Sequence, residues 1–258
     1  MDIVIVGAAG QGKVVLDILS TQTRWKPVGF LDDSPSLKDS QFCGFPVLGP
    51  ASDLARLRKE KIQAAIIAIG NNRVRASLFQ KARELGFRLP TVIHPSAVIA
   101  KDVSMGDGVQ VSPGAVIVTG SRLGNNIVLN TSISVDHDCL VSDHCYIAPG
   151  AHLAGNVTVG PFTWVGMGAN VLQGLKIGTN VLLGAGSVLL SDAEDDTVIV
   201  GVPGRVLRRQ EKIGNSSPLM GEDQGGGDTR SSAMNPSPSP LPQGERKNLR
   251  KSTKPIQF

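Results

Sequence analysis

Residues 93–188 read, in groups of six, IHPSAV, IAKDVS, MGDGVQ, VSPGAV, IVTGSR, LGNNIV, LNTSIS, VDHDCL, VSDHCY, IAPGAH, LAGNVT, VGPFTW, VGMGAN, VLQGLK, IGTNVL and LGAGSV. Each hexad opens with an aliphatic residue or Met, and its fifth residue is always Ala, Val, Ile, Leu, Ser, Thr or Cys. A six-residue period without insertions indicates a solenoid, in which each short strand buries its first residue and the fifth residue fits inside the corner. Three hexads make one triangular coil, so the stretch predicts about five coils.

The residues before the repeats alternate between strand and helix patterns. The segment 3–19 reads as a strand, a glycine-rich turn and a helix, 27–33 as a second strand, and 63–87 as a third strand followed by a helix. This alternation predicts a small parallel sheet with helices on its faces, whose ligands bind at the carboxyl ends of the strands. We therefore expect one crevice lined by Gly7–Gly12, Asp32, Asp33, Gly70 and Asn71.

The composition is that of a globular protein, with 41% hydrophobic and 19% charged residues. Three cysteines without framework spacing favour a reducing, cytoplasmic compartment, and no apolar stretch is long enough to predict membrane insertion. Much of the basic excess lies in residues 245–254, so no nucleic-acid partner is predicted. The Gly-, Pro- and Ser-rich residues 210–258 are predicted to be a disordered tail.

Seven segments, in order, carry a family resemblance: GAAGQG, FLDD, AIGNN, IHPSA, NTSISVDHDC, IAPGAHLAGNV and VGVPGRV. Together they resemble the bacterial sugar acetyltransferases of the sialic acid O-acetyltransferase and bacillosamine N-acetyltransferase type, which are hexapeptide-repeat transferases. The resemblance implies an α/β Rossmann-like domain over 1–90 that binds a nucleotide-linked amino sugar. It also implies a left-handed parallel β-helix over 91–209 and a homotrimer that binds acetyl-CoA between subunits.

The glycine-rich turn leaves three interpretations of the crevice open. Its G-x-x-G-x-G pattern departs from the G-x-G-x-x-G of dinucleotide sites, which weakens the case for NAD. Asp32 and Asp33 follow the turn at a distance where a carboxylate can accept from a ribose or from uracil-type N–H groups. A nucleotide-sugar site is favoured over NAD and over a purely structural turn. By resemblance, the sugar nucleotide contacts Ala9, Gly10, Gln11, Asp32, Asp33 and Gly70. Gln11 stands where relatives often carry histidine.

His137 is the candidate catalytic base. The hexad register places it third in VDHDCL, on a turn with its side chain outside the coil, between Asp136 and Asp138. A carboxylate bonded to an imidazole raises its basicity, and acetyl transfer needs a base for the proton of the attacking group. A solvated charge cluster is the alternative. The resemblance of NTSISVDHDC to the family's catalytic segment favours His137 as the base, supported by Asp138.

The remaining histidines and the cysteines receive lesser roles. The register predicts surface positions for His144 and His152, and inward thiols for Cys139 and Cys145, so no metal site is predicted. Tyr146 stands where some relatives have a second histidine that contacts the acetyl group, and its hydroxyl can donate a hydrogen bond in place of that histidine.

By resemblance, acetyl-CoA contacts Tyr146, Gly155, Met167 and Ala185, and the Gly155 N–H stabilises the oxyanion. The sequence thus predicts an acetyl-CoA-dependent acetyltransferase that modifies the amino group of a nucleotide-linked amino sugar for surface-glycan biosynthesis, by direct transfer and without metal. Two alternatives stay open: a sugar O-acetyltransferase of the sialic acid type, and a non-catalytic nucleotide-sugar-binding scaffold.

Overall fold

A computed structural model describes residues 1–211, so the predicted disordered tail lies, from residue 212 on, outside the described residues. The N-terminal region holds five strands, three α-helices and two short 3-10 helices, at Pro35–Leu37 and Ala51–Asp53. The strands are β1 (Asp2–Val6), β2 (Lys26–Leu31), β3 (Gln41–Phe42), β4 (Phe45–Pro46) and β5 (Ala64–Ile67). The α-helices are α1 (Gly10–Ser20), α2 (Leu54–Lys59) and α3 (Asn72–Glu84).

The order β2-β1-β5 forms a parallel three-stranded sheet, and β3 and β4 form a separate antiparallel pair. Successive residues of a strand point to opposite faces. Ile3 and Ile5 accordingly pack in one cluster with α1, whereas Val4 and Val6 pack in another with α2 and α3. The first connection leads from β1 to β2 on one side, and the chain later returns to place β5 on the other side of β1. The direction of strand addition therefore reverses between β1 and β5, which is the switch point of the sheet.

The hexads form three parallel sheets, in which each strand pairs with the strands one coil before and after it. Face 1 consists of Val92–Ile93, Gln110–Val111, Val128–Leu129, Tyr146–Ile147, Trp164–Val165, Leu182–Leu183 and Thr197–Val200, with antiparallel Arg205–Arg209 at its end. Face 2 consists of Val98–Ile99, Val116–Ile117, Ser134–Val135, His152–Leu153, Asn170–Val171 and Val188–Leu189. Face 3 consists of Ser104–Met105, Arg122–Leu123, Leu140–Val141, Thr158–Val159 and Lys176–Ile177. We call the turns between faces corners 1/2, 2/3 and 3/1.

The predicted register is confirmed. The first residue of every hexad from Val111 to Leu183 is buried, and most fifth residues fill the same core. From Gly108 to Gly186 the fourth residue adopts a left-handed backbone conformation, including non-glycine residues such as Asn126 and Asp138. Gly, Asn and Asp tolerate this conformation best, which explains their frequency at that position. An α/β region followed by a parallel β-helix is therefore the fold class that the sequence predicts.

The α/β region covers the outward side of face 1. Val92, Gln110 and Val128 point out of the coil there, yet all three are fully buried. Gln110 joins the two regions, because its Nε2 donates to Ile67 O at 2.8 Å and its Oε1 accepts from Gln11 Nε2 at 2.9 Å. On face 2, by contrast, Val98 is 63% exposed. Of the helices within residues 1–211, none has the length and apolarity needed to cross a membrane.

Candidate functional site

The glycine-rich turn lies at the switch point of the sheet and brings α1 close to β1. A Cβ on Gly7 would overlap Ala68 O, and one on Gly12 would overlap Gly7 O, so both positions require glycine. Gly10 has a different role, because a Cβ there would meet no atom within 4 Å. The first helical turn of α1 faces this open space without a side-chain cap and without an acidic residue. Such a helix N-terminus, with free N–H groups, suits a phosphate.

The far wall of the crevice follows β5. A Cβ on Gly70 would also meet no atom within 4 Å, so Gly10 and Gly70 both border open space at the carboxyl ends of adjacent strands. Asn71 caps α3, since its Oδ1 accepts from Arg73 N and Val74 N. Ala9, Gly10, Gln11 and Gly70 thus lie around one crevice, and their contacts to a sugar nucleotide stay a prediction.

The two aspartates already hold backbone groups. Asp32 accepts from Ala8 N at 2.7 Å and from Ser34 N at 2.9 Å, which fixes the glycine-rich turn against the end of β2. Asp33 accepts from Ala51 N at 2.7 Å. Their predicted role in binding a ribose or base therefore has to use lone pairs that these contacts leave free.

The His137 imidazole lies outside corner 2/3, as the register predicts. Its Nδ1 is 2.9 Å from Asp138 Oδ2, and Asp136 accepts from its backbone N–H at 2.8 Å. The hydrogen bond to Asp138 raises the pKa of His137 above its ordinary value of 6.5. This contact also assigns the proton to Nδ1 in the neutral ring and leaves Nε2 as the basic atom.

Gly155 lies directly beneath this ring, one coil further along the same corner. A Cβ on Gly155 would overlap His137 Nε2, so only glycine allows the imidazole this position. Asn156 N donates to His137 O at 2.8 Å and fixes the spacing of the two turns. Within residues 1–211, no group accepts a hydrogen bond from the Gly155 N–H. A basic nitrogen and a free backbone donor are therefore adjacent at corner 2/3.

The other predicted acetyl-CoA contacts lie elsewhere on the coil. Met167 and Ala185 are exposed on successive turns of corner 1/2, with Gly186 N donating to Met167 O. Tyr146 points outward from face 1 and is only 9% exposed. Its hydroxyl accepts from Asn130 Nδ2 at 2.8 Å, and its ring stacks on Trp164 at 4.0 Å. Within one chain, Tyr146 is separated from His137 by the coil, and its contact with an acetyl group stays a prediction.

The expectation that His144 lies at the surface is wrong. His144 is half-buried at corner 3/1, between the rings of Phe79 and Phe162. Its Nδ1 is 2.9 Å from Asn126 Nδ2, and burial lowers its pKa to about 4. The cause of the difference is Phe79, because α3 packs over this corner. His152 is exposed on face 2, where its Nδ1 lies 2.8 Å from Ser134 Oγ.

Cys139 and Cys145 are buried in the coil, as predicted, and their thiols donate to Ala154 O and Gly160 O. Burial raises the pKa of the Cys145 thiol to about 12, so it stays protonated at neutral pH. In the part of the chain that the structure describes, no three His, Cys, Asp or Glu side chains are grouped so that they could hold a metal ion.

Residues 2–82 match the family model described as the PglD N-terminal domain. PerB from Caulobacter crescentus, solved in complex with CoA and GDP-perosamine, aligns over 80% of this chain and 97% of its own, with 37% identity and a TM-score of 0.76. The chain belongs to the acetyl-CoA-dependent sugar N-acetyltransferases built on hexapeptide repeats. The predicted family and enzyme class are thereby confirmed for this acetyltransferase.

Two further relatives support this membership. The acetyltransferase domain of PglB from Neisseria gonorrhoeae, in complex with acetyl coenzyme A, aligns over 80% of this acetyltransferase and 98% of its own chain, with 36% identity and a TM-score of 0.73. GDP-perosamine N-acetyltransferase from Escherichia coli O157:H7 is 28% identical over 70% of this chain and 82% of its own. The chain also matches the serine acetyltransferase of Synechococcus elongatus, of which it spans only 43%.

Proposed function

We propose that this acetyltransferase transfers acetyl from acetyl-CoA to the amino group of a nucleotide-linked amino sugar, in the biosynthesis of a surface glycan. The observation that carries the proposal is the group formed by His137, Asp138 and the free N–H of Gly155 at one exposed corner. Relatives named for GDP-perosamine favour a GDP-linked sugar as the first acceptor to test. Acetyl-CoA and nucleotide sugars are cytoplasmic metabolites, so we place the reaction in the cytoplasm.

Each of these groups at corner 2/3 takes part in one step of the direct transfer. The acceptor amine attacks the thioester carbonyl carbon, and His137 Nε2 takes the proton that the nitrogen loses. The Gly155 N–H donates to the oxygen of the tetrahedral intermediate, where negative charge develops. When the C–S bond breaks, the CoA thiolate recovers the proton from the imidazolium. Asp138 stabilises that imidazolium, and the products are an amide and CoA.

The proposed site needs two copies of the chain. The crevice borders face 1, whereas His137 lies at corner 2/3, on the opposite side of the same coil. Met167 and Ala185 lie at corner 1/2, so corner 1/2 of one copy has to meet corner 2/3 of another to complete an acetyl-CoA groove. Face 2 lies between these two corners and exposes Val98 and Val116. We therefore propose a homotrimer in which face 2 is turned toward the other subunits.

The test is an assay with acetyl-CoA and a set of GDP-, UDP-, dTDP- and CMP-linked amino sugars. We expect one amino sugar to gain one acetyl group by mass, as an amide that resists hydroxylamine, and His137→Ala to lose at least a hundredfold in kcat. An ester product would instead support the O-acetyltransferase alternative. Undiminished transfer by an intact His137→Ala oligomer would refute His137 as the base. His144→Asn serves as the control, because His144 is a histidine at corner 3/1, away from the catalytic groups at corner 2/3.

A further inference from the structure

Within residues 1–211, Arg75 is the largest side chain that is completely buried. It projects from α3 into the junction between the α/β region and corner 3/1 of the β-helix. Its guanidinium donates to six oxygens, five of them backbone carbonyls: Ile69, Gly70, Asn126, His144 and Cys145, together with Asn72 Oδ1. These bonds satisfy the donors of the fork and fix its position.

The charge of Arg75 has no partner of opposite sign within residues 1–211. The five salt bridges in that range involve other residues, and all six acceptors of the guanidinium are neutral. Burial lowers the pKa of Arg75 to about 10, so the side chain remains charged at neutral pH. A buried charge without a counter-ion is costly, and here only hydrogen bonds to neutral oxygens offset its desolvation.

The Arg75 guanidinium lies directly behind one wall of the acceptor crevice. Two of its bonds, each 3.0 Å long, hold Ile69 O and Gly70 O at the carboxyl end of β5. Gly70 borders the open space that α1 faces from the other side with its uncapped N-terminus. An anion bound beside Gly70 would face the N-terminus of α1 and would have the guanidinium of Arg75 behind the Gly70 backbone. In a low-dielectric environment such a charge acts over several ångströms without direct contact.

We propose that Arg75 is a positioning residue of the acceptor site: it holds the Ile69–Gly70 wall in place and supplies the counter-charge for the diphosphate of the nucleotide sugar. The inference rests on the proposed function, because it requires a nucleoside diphosphate in the crevice. Arg75 acts through Gly70 and through space, since its donors are already engaged. The purely structural alternative requires the hydrogen bonds but not the charge.

The experiment compares the affinity for GDP with that for guanosine, and for UDP with uridine, by calorimetry on the full chain. The ratio of nucleoside to diphosphate dissociation constants isolates the contribution of the phosphates. Arg75→Met removes the charge, and we expect this ratio to fall about tenfold. Arg75→Lys keeps the charge but loses the fork, and we expect it to retain most of the ratio. Affinity for CoA, which lacks the acetyl group that Tyr146 is predicted to contact and whose other predicted contacts lie at corners 1/2 and 2/3, should stay unchanged in both variants.

If Arg75→Met leaves the ratio of nucleoside to diphosphate dissociation constants unchanged, Arg75 does not supply the counter-charge. The same conclusion follows if Arg75→Lys lowers this ratio as much as Arg75→Met does. If Arg75→Met does not fold, Arg75→Gln takes its place, because glutamine is also uncharged and its amide still donates two hydrogen bonds. We expect a reduced ratio there also, and an unchanged ratio overturns the proposal. A wild type that binds none of GDP, UDP and dTDP, and acetylates no sugar linked to them, refutes a nucleoside diphosphate as the acceptor's carrier, which distinguishes the two failures.

Discussion

The hydrogen bond between His137 Nδ1 and Asp138 predicts how the rate depends on pH. The bond raises the pKa of His137 above 6.5, and only the neutral ring accepts a proton, so activity should rise with pH through a midpoint above 6.5. Asp138→Asn removes the cause of the shift. We expect the midpoint of kcat/KM to move to lower pH and the plateau to fall about 10- to 100-fold, because the base is weaker.

The control for this prediction is Asp136→Asn. Asp136 lies on the other side of His137 and bonds its backbone N–H, not the ring. Because its effect on the pKa of His137 is the smaller, through-space one, the midpoint should move less than in Asp138→Asn. Equal shifts in the two variants, measured as pH profiles of kcat/KM, would contradict the special role of Asp138.

His144 predicts an acid-sensitive stability. Its pKa is about 4 in the folded protein and about 6.5 when unfolded. The buried neutral ring thus contributes stability that is present above pH 6.5 and is lost as pH falls toward 4. After allowance for partial solvent exposure, the loss is on the order of 2 kcal/mol. His144→Asn, which suits the left-handed conformation at this position (φ 63°), should show a smaller loss of unfolding free energy between pH 7 and 4.

Denaturant titrations at pH 7, 5.5 and 4 measure this difference. His152→Asn is the control, because the His152 ring bonds only Ser134; since His152 lies on face 2, its oligomeric state is first shown to match that of the wild type. We expect the control to follow the wild type across the three pH values. A parallel course for His144→Asn as well would show that the buried imidazole does not couple stability to pH.

At the scale of elements, the sequence predicts the hexad register but not which face of the coil the α/β region covers. The register states which side chains enter the coil, and Cys139 and Cys145 lie where it puts them. It does not state which outward face the α/β region covers, because that depends on packing between residues far apart in the chain. For this reason the register wrongly predicts His144 at the surface, and it does not determine what Tyr146 contacts. The sequence does not predict the burial of Arg75, because α3 also carries arginines that remain at the surface.

The N-terminus of helix α1 is a predicted phosphate site, and one negative charge placed there should block phosphate binding. Gly10 is the first residue of α1, borders open space and has no left-handed backbone. A Cβ at Gly10 meets no atom within 4 Å, so we expect Gly10→Asp to be accommodated, and an acidic residue in the first turn favours the helix. The same charge repels a diphosphate. We expect KM for the nucleotide sugar to rise about 10- to 100-fold, with KM for acetyl-CoA and the melting temperature unchanged or slightly improved.

Gly10→Ala separates charge from size in this experiment, because it adds only a methyl group in the open space. Its KM for the nucleotide sugar should stay close to that of the wild type in steady-state kinetics. If Gly10→Ala is as impaired as Gly10→Asp, the limitation is steric and the phosphate position at the start of α1 is wrong.

At the scale of the whole molecule, the proposed reaction depends on where the crevice and the base lie around one coil. The α/β region occupies face 1 and corner 3/1, whereas His137 and Gly155 lie at corner 2/3. A chain thus presents its acceptor crevice in one direction and its catalytic corner in another. The exposed valines of face 2 provide a surface by which copies can associate. Each active site would then combine the crevice of one chain with the His137 of its neighbour.

This arrangement predicts that two inactive variants restore each other. His137→Ala lacks the proposed base, and Gly10→Asp lacks the proposed acceptor site, so each variant alone should be nearly inactive at low concentrations of the nucleotide sugar. When the two chains are mixed equally, unfolded and refolded together, a site is intact when its crevice comes from His137→Ala and its base from Gly10→Asp. Random mixing makes about a quarter of the sites intact, so about a quarter of the wild-type rate should return. If both groups acted within one chain, no mixture could exceed the two parents, because every chain carries one defect.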